Sequence, residues 1–109
     1  MNVNSLIISA LSSLSLPVDA GVYTGSATEY IYFNYSDERP VLRADDEDLT
    51  DMTTVQVHYF TKTNPQTVKK SIQTLLRDAD FTIINVQEFF ESDTQYNHIV
   101  VECWIEGFI

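Results

Sequence analysis

Carboxylates offer the densest chemistry in this chain. Asp45-Asp46-Glu47-Asp48, with Asp51 close behind, could hold a hard divalent cation through their oxygens. The run lacks the spacing of a calcium loop, and no glycine supplies the tight turn such a loop needs. Adjacent acids also point in different directions, so the expectation is a solvated acidic loop and no metal. His58 and His98 form a second candidate. Strand alternation puts both on the same side, where they could make a pH-sensitive or metal-binding pair on neighbouring strands. No third ligand is evident, because Cys103 falls on the opposite side, and ordinary strand histidines are the simpler reading. Cys103 itself sits between Val101 and Ile105 at alternate positions, the setting of a buried, inert thiol.

Nothing else points to catalysis. The three glycines are far apart, so no phosphate-cradling loop exists, and no G-x-S-x-G, H-E-x-x-H or C-x-x-C occurs. No carboxylate is placed in an apolar pocket where its pKa would rise. The expectation is a protein that is not an enzyme and has no cofactor.

Composition narrows the partners. The chain has 109 residues, enough for one domain, residues 1–109, and for a core that needs no staple. A single cysteine excludes an internal disulfide. The formal net charge is -10, so there is no cationic surplus to hold a phosphate backbone, and specific nucleic-acid binding is not expected. Apolar runs are too short to span a membrane. The first residues have an apolar middle but no basic start, so they read as structure rather than as a signal.

The elements follow from periodicity. Val3, Leu6, Ile7, Ala10, Leu11 and Leu14 recur at helical spacing until Pro17, predicting a helix over 3–14 capped by Asn2 or Asn4. Turns are expected at Asp19-Ala20-Gly21 and Gly25-Ser26. Glu29 to Tyr35 is strand-like. Between Asp37 and Asp51 lie seven carboxylates and two arginines, a net of -5, which reads as an acidic loop. Thr53 to Thr61 then alternates, with Val55, Val57 and Tyr59 on one side and Gln56, His58 and Phe60 on the other. Asn64-Pro65 starts a second helix over 65–79, with Val68, Ile72, Leu75, Leu76 and Ala79 inward. Phe81 to Phe90 and His98 to Glu106 are further strands, joined by a turn at Asp93-Thr94-Gln95. The predicted class is α+β: a four-stranded, mainly antiparallel sheet with two helices packed on one face, in the order α-β-β-α-β-β.

The apolar content exceeds what one helical layer can cover. Tyr30 and Tyr32 alternate with Ile31 and Phe33, and Phe60, Val100 and Trp104 lie on the side away from the helices. Loops could fold over that side, but a subunit interface is the favoured reading. Lys69, Lys70 and Arg77 form a basic stripe on the second helix. It could meet the acidic run Asp45, Asp46, Glu47 and Asp48 of another copy, and a head-to-tail contact of that kind closes a ring or grows a filament. The expected interface is therefore Tyr30, Tyr32, Asp45, Asp46, Glu47, Asp48, Lys69, Lys70, Arg77 and Trp104. An acidic DNA mimic that inhibits a basic nucleic-acid enzyme is the competing class.

In their order, LSLPV, VYTGSATEYIYFNYSDERP, ADDEDLTD, VQVHYF, NPQTVKKSIQTLLRDADF and HIVVECWIEG resemble the tail terminator and tail completion (head–tail joining) proteins of long-tailed bacteriophages and prophages. The resemblance covers nearly the whole chain and rests on element order, length and the strand–loop–strand unit, with no single diagnostic motif. It implies a small α+β subunit that forms a ring, usually a hexamer, at the head-proximal end of the tail tube. Such a ring ends tube growth and presents a surface to the head connector or stopper protein, and DNA may pass through it. The implied location is the virion, after assembly in the host cytoplasm. Terminator and head-proximal joining subunits share this size and fold type, and both readings stay open.

Overall fold

Asn2 opens the first helix, α1 (Val3–Leu11), by accepting a hydrogen bond from the Ser5 N–H at 2.8 Å. That bond satisfies one of the donors left unpaired at a helix start. A 3-10 turn, Ser12–Leu14, completes the predicted segment, and Ser15 closes it in the left-handed conformation with φ 58°. In this computed structural model the described residues are 2–42 and 49–106, with backbone alone described for 37–42 and 49–51. The remaining elements are β1 (Val18–Ala20), β2 (Tyr30–Leu42), β3 (Leu49–Thr61), α2 (Gln66–Asp78), β4 (Thr82–Glu91) and β5 (Tyr96–Glu106).

The sheet has five strands in the order β1-β2-β3-β5-β4, which corrects the expected four. The extra strand is β1, which runs parallel to β2 with Val18 opposite Ile31. Three residues are too short for alternation to register, so Asp19-Ala20 reads locally as a turn. The neighbouring edge of β2 makes it a strand: Ile31 N–H donates to the Pro17 carbonyl at 2.8 Å, and Gly21 N–H to that of Phe33 at 2.7 Å. The turn begins at Gly21, whose φ of 91° suits a residue without Cβ.

The β2–β3 ladder is also longer than expected. It continues past Tyr35, through a register shift before Asp37, and pairs Leu42 with Leu49. Charge and Pro40 hide this extension from a pattern search, because backbone pairing leaves no apolar alternation in the sequence to find. Beyond Phe33 the outer side of β2 has no strand neighbour among the described residues. Proline's missing N–H is tolerated on such an edge.

β3 and β4 each run antiparallel to β5, so they are parallel to one another with β5 between them. Helix α2 makes that crossover, a split β-α-β unit. It starts one residue later than predicted, which makes Pro65 the N-cap in place of Asn64, although Asn64 Oδ1 still accepts from the Gln66 N–H at 3.0 Å. Past its C-cap Ala79, Asp80 is left-handed at φ 74°, and the Phe81 N–H reaches back to the Leu76 carbonyl at 3.0 Å.

Both helices bury their apolar stripes on the same side of the sheet. Val3, Ile7 and Leu11 of α1 and Ile72 and Leu76 of α2 meet Ile31, Phe33, Val55, Val57, Tyr59, Ile99, Val101, Cys103 and Ile105. The alternating strand residues are the predicted ones. Leu75 is only half-buried. Tyr59 has its ring in this core, and its hydroxyl donates to the Glu29 carboxylate. The partner matters because a buried hydroxyl without one would oppose folding.

Candidate functional site

Among the described residues the opposite side of the sheet carries no helix, and the strand register builds rows across it. Tyr30, Phe60, His98 and Phe89 stand side by side on β2, β3, β5 and β4. The next row is Tyr32, His58, Val100 and Gln87, and the third is Asn34, Gln56, Glu102 and Asn85. Trp104 follows, between Thr54 and Thr82. The face therefore grades from aromatic to polar along the strands.

The first two rows form a continuous stack. Ring centroids lie 4.2 Å apart for Tyr23 and Tyr30, 4.9 Å for Tyr30 and Phe60, and 4.0 Å for Phe60 and His98. Tyr32 stacks on His58 at 4.5 Å. Such pairs contribute about 0.5–1.5 kcal/mol each beyond area burial. They explain why Phe60 and Val100 are buried although no helix covers them. Tyr23 comes from the β1–β2 loop, so a loop does cover one end of the face. Its ring lies over Gly25, where a Cβ would fall 2.2 Å from the Tyr23 hydroxyl oxygen. The Ala27 N–H donates to that hydroxyl at 2.8 Å.

A polar chain runs through the stack. His58 Nδ1 lies 2.9 Å from His98 Nε2, and His58 Nε2 lies 2.8 Å from Asn34 Oδ1. His98 Nδ1 is 3.5 Å from the Glu91 carboxylate. Burial lowers both imidazoles. For His58 the neighbouring His98 adds to that effect and takes it to about 4. For His98 the Glu91 carboxylate opposes it. Alternation in the sequence put the two histidines on one side, but Asn34 and Glu91 were missed. Asn34 sits two residues after Tyr32, which was a usable signal. Glu91 is the last residue of β4, opposite Tyr96 and two residues after Phe89, just beyond the predicted strand end at Phe90.

Base stacking would suit these rings, yet the charge is wrong for it. Single-stranded nucleic acid needs a cationic groove beside the aromatic platform. Here Lys62 lies over the Tyr96 ring at 5.0 Å, while Glu91 and Glu102 stand on the face. Among the described residues no group of three His, Cys, Asp or Glu is arranged to hold a metal.

The proposed interface residues separate into two layers. Tyr30, Tyr32 and Trp104 share the open face. Lys69, Lys70 and Arg77 are on α2, on the other side of the sheet. Lys69 already binds Glu88 of β4 at 3.2 Å, beside Gln66, whose amide donates to the same carboxylate at 2.8 Å. Lys70 and Arg77 are exposed. Lys70 also lines a shallow groove of about 410 Å³ between α2 and the 3-10 turn that follows α1, with Leu14 and Leu75. Asp45, Asp46, Glu47 and Asp48 lie outside the described residues. Among the described residues the sheet ends at β4, which has a strand on one side only and exposes Ile84, Phe89 and Phe90.

Cys103 lies wholly inside the core, and burial pushes its thiol up to about 12. The thiolate is the reactive form. A water-soluble disulfide reagent is therefore expected to label Cys103 only as fast as the chain opens. Labelling in native buffer at the rate of the denatured chain would show that this core face is not closed.

No protein-family model matches this sequence, and no curated protein matches it. Among solved structures, a chain of the virion of a native gene transfer agent (GTA) particle is similar, with a TM-score of 0.63. The match covers 96% of this chain and 93% of that chain at 10% identity. At that identity the likeness is one of fold, and it extends from end to end.

Proposed function

We propose that this chain is a structural subunit of a phage-like virion, and within that class a tail terminator or tail completion protein. The observation that carries the reading is the end-to-end likeness in fold to a chain of a GTA virion. The sequence resemblance supports the finer assignment. In this reading the subunit joins copies of itself in a ring, usually a hexamer, at the head-proximal end of the tail. It ends tube growth there and contacts the tube protein and the head connector or stopper. DNA passes through without being held. The protein performs no catalysis.

The physical basis is surface that one copy leaves unpaired. The open aromatic face and the β4 edge expose rings and strand backbone groups, which a neighbour can cover. Charge sets the register: Asp45, Asp46, Glu47 and Asp48 of one copy approach Lys70 and Arg77 of the next, with Lys69 shared with its own Glu88. Such rim pairs contribute below about 1 kcal/mol each, so apolar contact carries the affinity.

Electron microscopy of lysates from a clean deletion tests this. Tails of abnormal length, or tails and filled heads left unjoined, are the expected result, restored by a working copy. Normal tails joined to filled heads would overturn the reading and favour an acidic inhibitor.

A further inference from the structure

We propose that His58, His98 and Glu91 form a site for a single proton on the open sheet face, taken up at His98 and barred from His58. The hydrogen bonds dictate this. Asn34 Nδ2 donates to Gln56 Oε1 at 3.4 Å, which turns its Oδ1 toward His58 Nε2 at 2.8 Å. An acceptor at that position places the His58 proton on Nε2 and leaves Nδ1 as a lone pair. Across the 2.9 Å gap, His98 Nε2 must then be the donor. A neutral His98 so arranged turns a second lone pair, on Nδ1, toward the Glu91 carboxylate at 3.5 Å. One added proton on His98 Nδ1 converts that opposition into an ion pair and keeps every other bond. A second proton would have to enter at His58 Nδ1, where it would meet the His98 N–H.

The surroundings favour the same order. From β4, Glu91 faces His98, and its carboxylate accepts from Thr94 Oγ1 at 3.3 Å in the turn. From β3, Phe60 stacks on His98, an aromatic face that welcomes a cation. From β2, Tyr32 stacks on His58, and Asn34 holds its far nitrogen. From β5, Tyr96 sits edge-on to Phe60 beneath Lys62, and Glu102 is turned away to Asn85 and Ser36. Burial lowers both imidazoles, His58 the further, to about 4.

The sign for stability follows. Both groups bind protons less readily folded than unfolded. The stability they contribute is complete above the ordinary imidazole value of 6.5 and is lost as pH falls below it, the His58 part down to about 4. The inference concerns the single chain and holds whether or not the face is a subunit joint.

Imidazole NMR on the full chain, titrated against pH, tests the proposal in the natural protein and in Glu91→Gln, a half-exposed position whose substitution leaves the core intact. Two steps are expected, His98 first and His58 lower by more than about one pH unit, the mark of a coupled pair. His58 should hold its proton on Nε2 throughout the first step. Glu91→Gln should move the His98 step down. Both histidines titrating together near the ordinary value, His58 titrating first, or a His98 step unmoved in Glu91→Gln would each overturn it.

Discussion

Replacing Leu76 with Ala is expected to lower the unfolding free energy by about 2–5 kcal/mol, and Ile72→Ala should fall in the same range. Both side chains are fully buried in α2, against the strand residues of the helix-covered face. Truncation forfeits their transfer energy and leaves a cavity, because a close-packed interior relaxes only in part. A domain of this size has about 5–15 kcal/mol to lose, so either change removes a large share. Leu75→Ala should cost less, since Leu75 is half-exposed at the margin of the same core. Denaturant titration reads all three, with an unchanged slope showing that the loss is one of stability. A loss below about 0.5 kcal/mol for Leu76→Ala, the scale of ordinary surface changes, would mean that α2 is not docked as described.

If copies join as proposed, Trp104→Ala is expected to weaken that self-association by at least about tenfold, equivalent to 1.4 kcal/mol, with little change in melting temperature. Trp104 is half-buried in the single chain, at the end of the open face between Thr54 and Thr82. A large ring in that position has area left to bury against a neighbour. Aromatic anchors of this type carry a disproportionate part of interface energy. Sedimentation at matched concentrations is the measurement. An unaltered assembly with Trp104 truncated would remove the open face from the proposed joint and leave the β4 edge to account for it. A fall in melting temperature as large as that of Leu76→Ala would mean that the ring serves the fold instead.

Much of the fold was legible because its signals are local. Asn64-Pro65 marked the start of α2, and the apolar spacing of Ile72 and Leu76 marked its buried face. Alternation at Val55, Val57 and Tyr59, and at Ile99, Val101, Cys103 and Ile105, separated the covered side of the sheet from the open side. Where the physics is not local, the reading failed. β1 is a strand because β2 offers it an edge. The ladder from Asp37 to Leu42 forms because β3 pairs with it, although its sequence carries no apolar alternation. The acidic loop read between Asp37 and Asp51 therefore shortens, with residues 43–48 left between the two strands.

The histidine pair divides in the same way. Sequence alone determined that His58 and His98 share a side, since side chains alternate along any strand. It also determined that Cys103 points away from them. Tertiary structure decided the rest. Placing β5 beside β3, with Phe60 opposite His98 and Val100 opposite His58, sets the two rings on a diagonal close enough to hydrogen-bond. Pairing β4 with β5 then brings Glu91, the last residue of β4, to the free nitrogen of His98. A one-residue slip in that register would turn one histidine to the other side of the sheet. The chemistry of this face therefore depends on strand pairing, which residues far apart in the chain settle only by folding together.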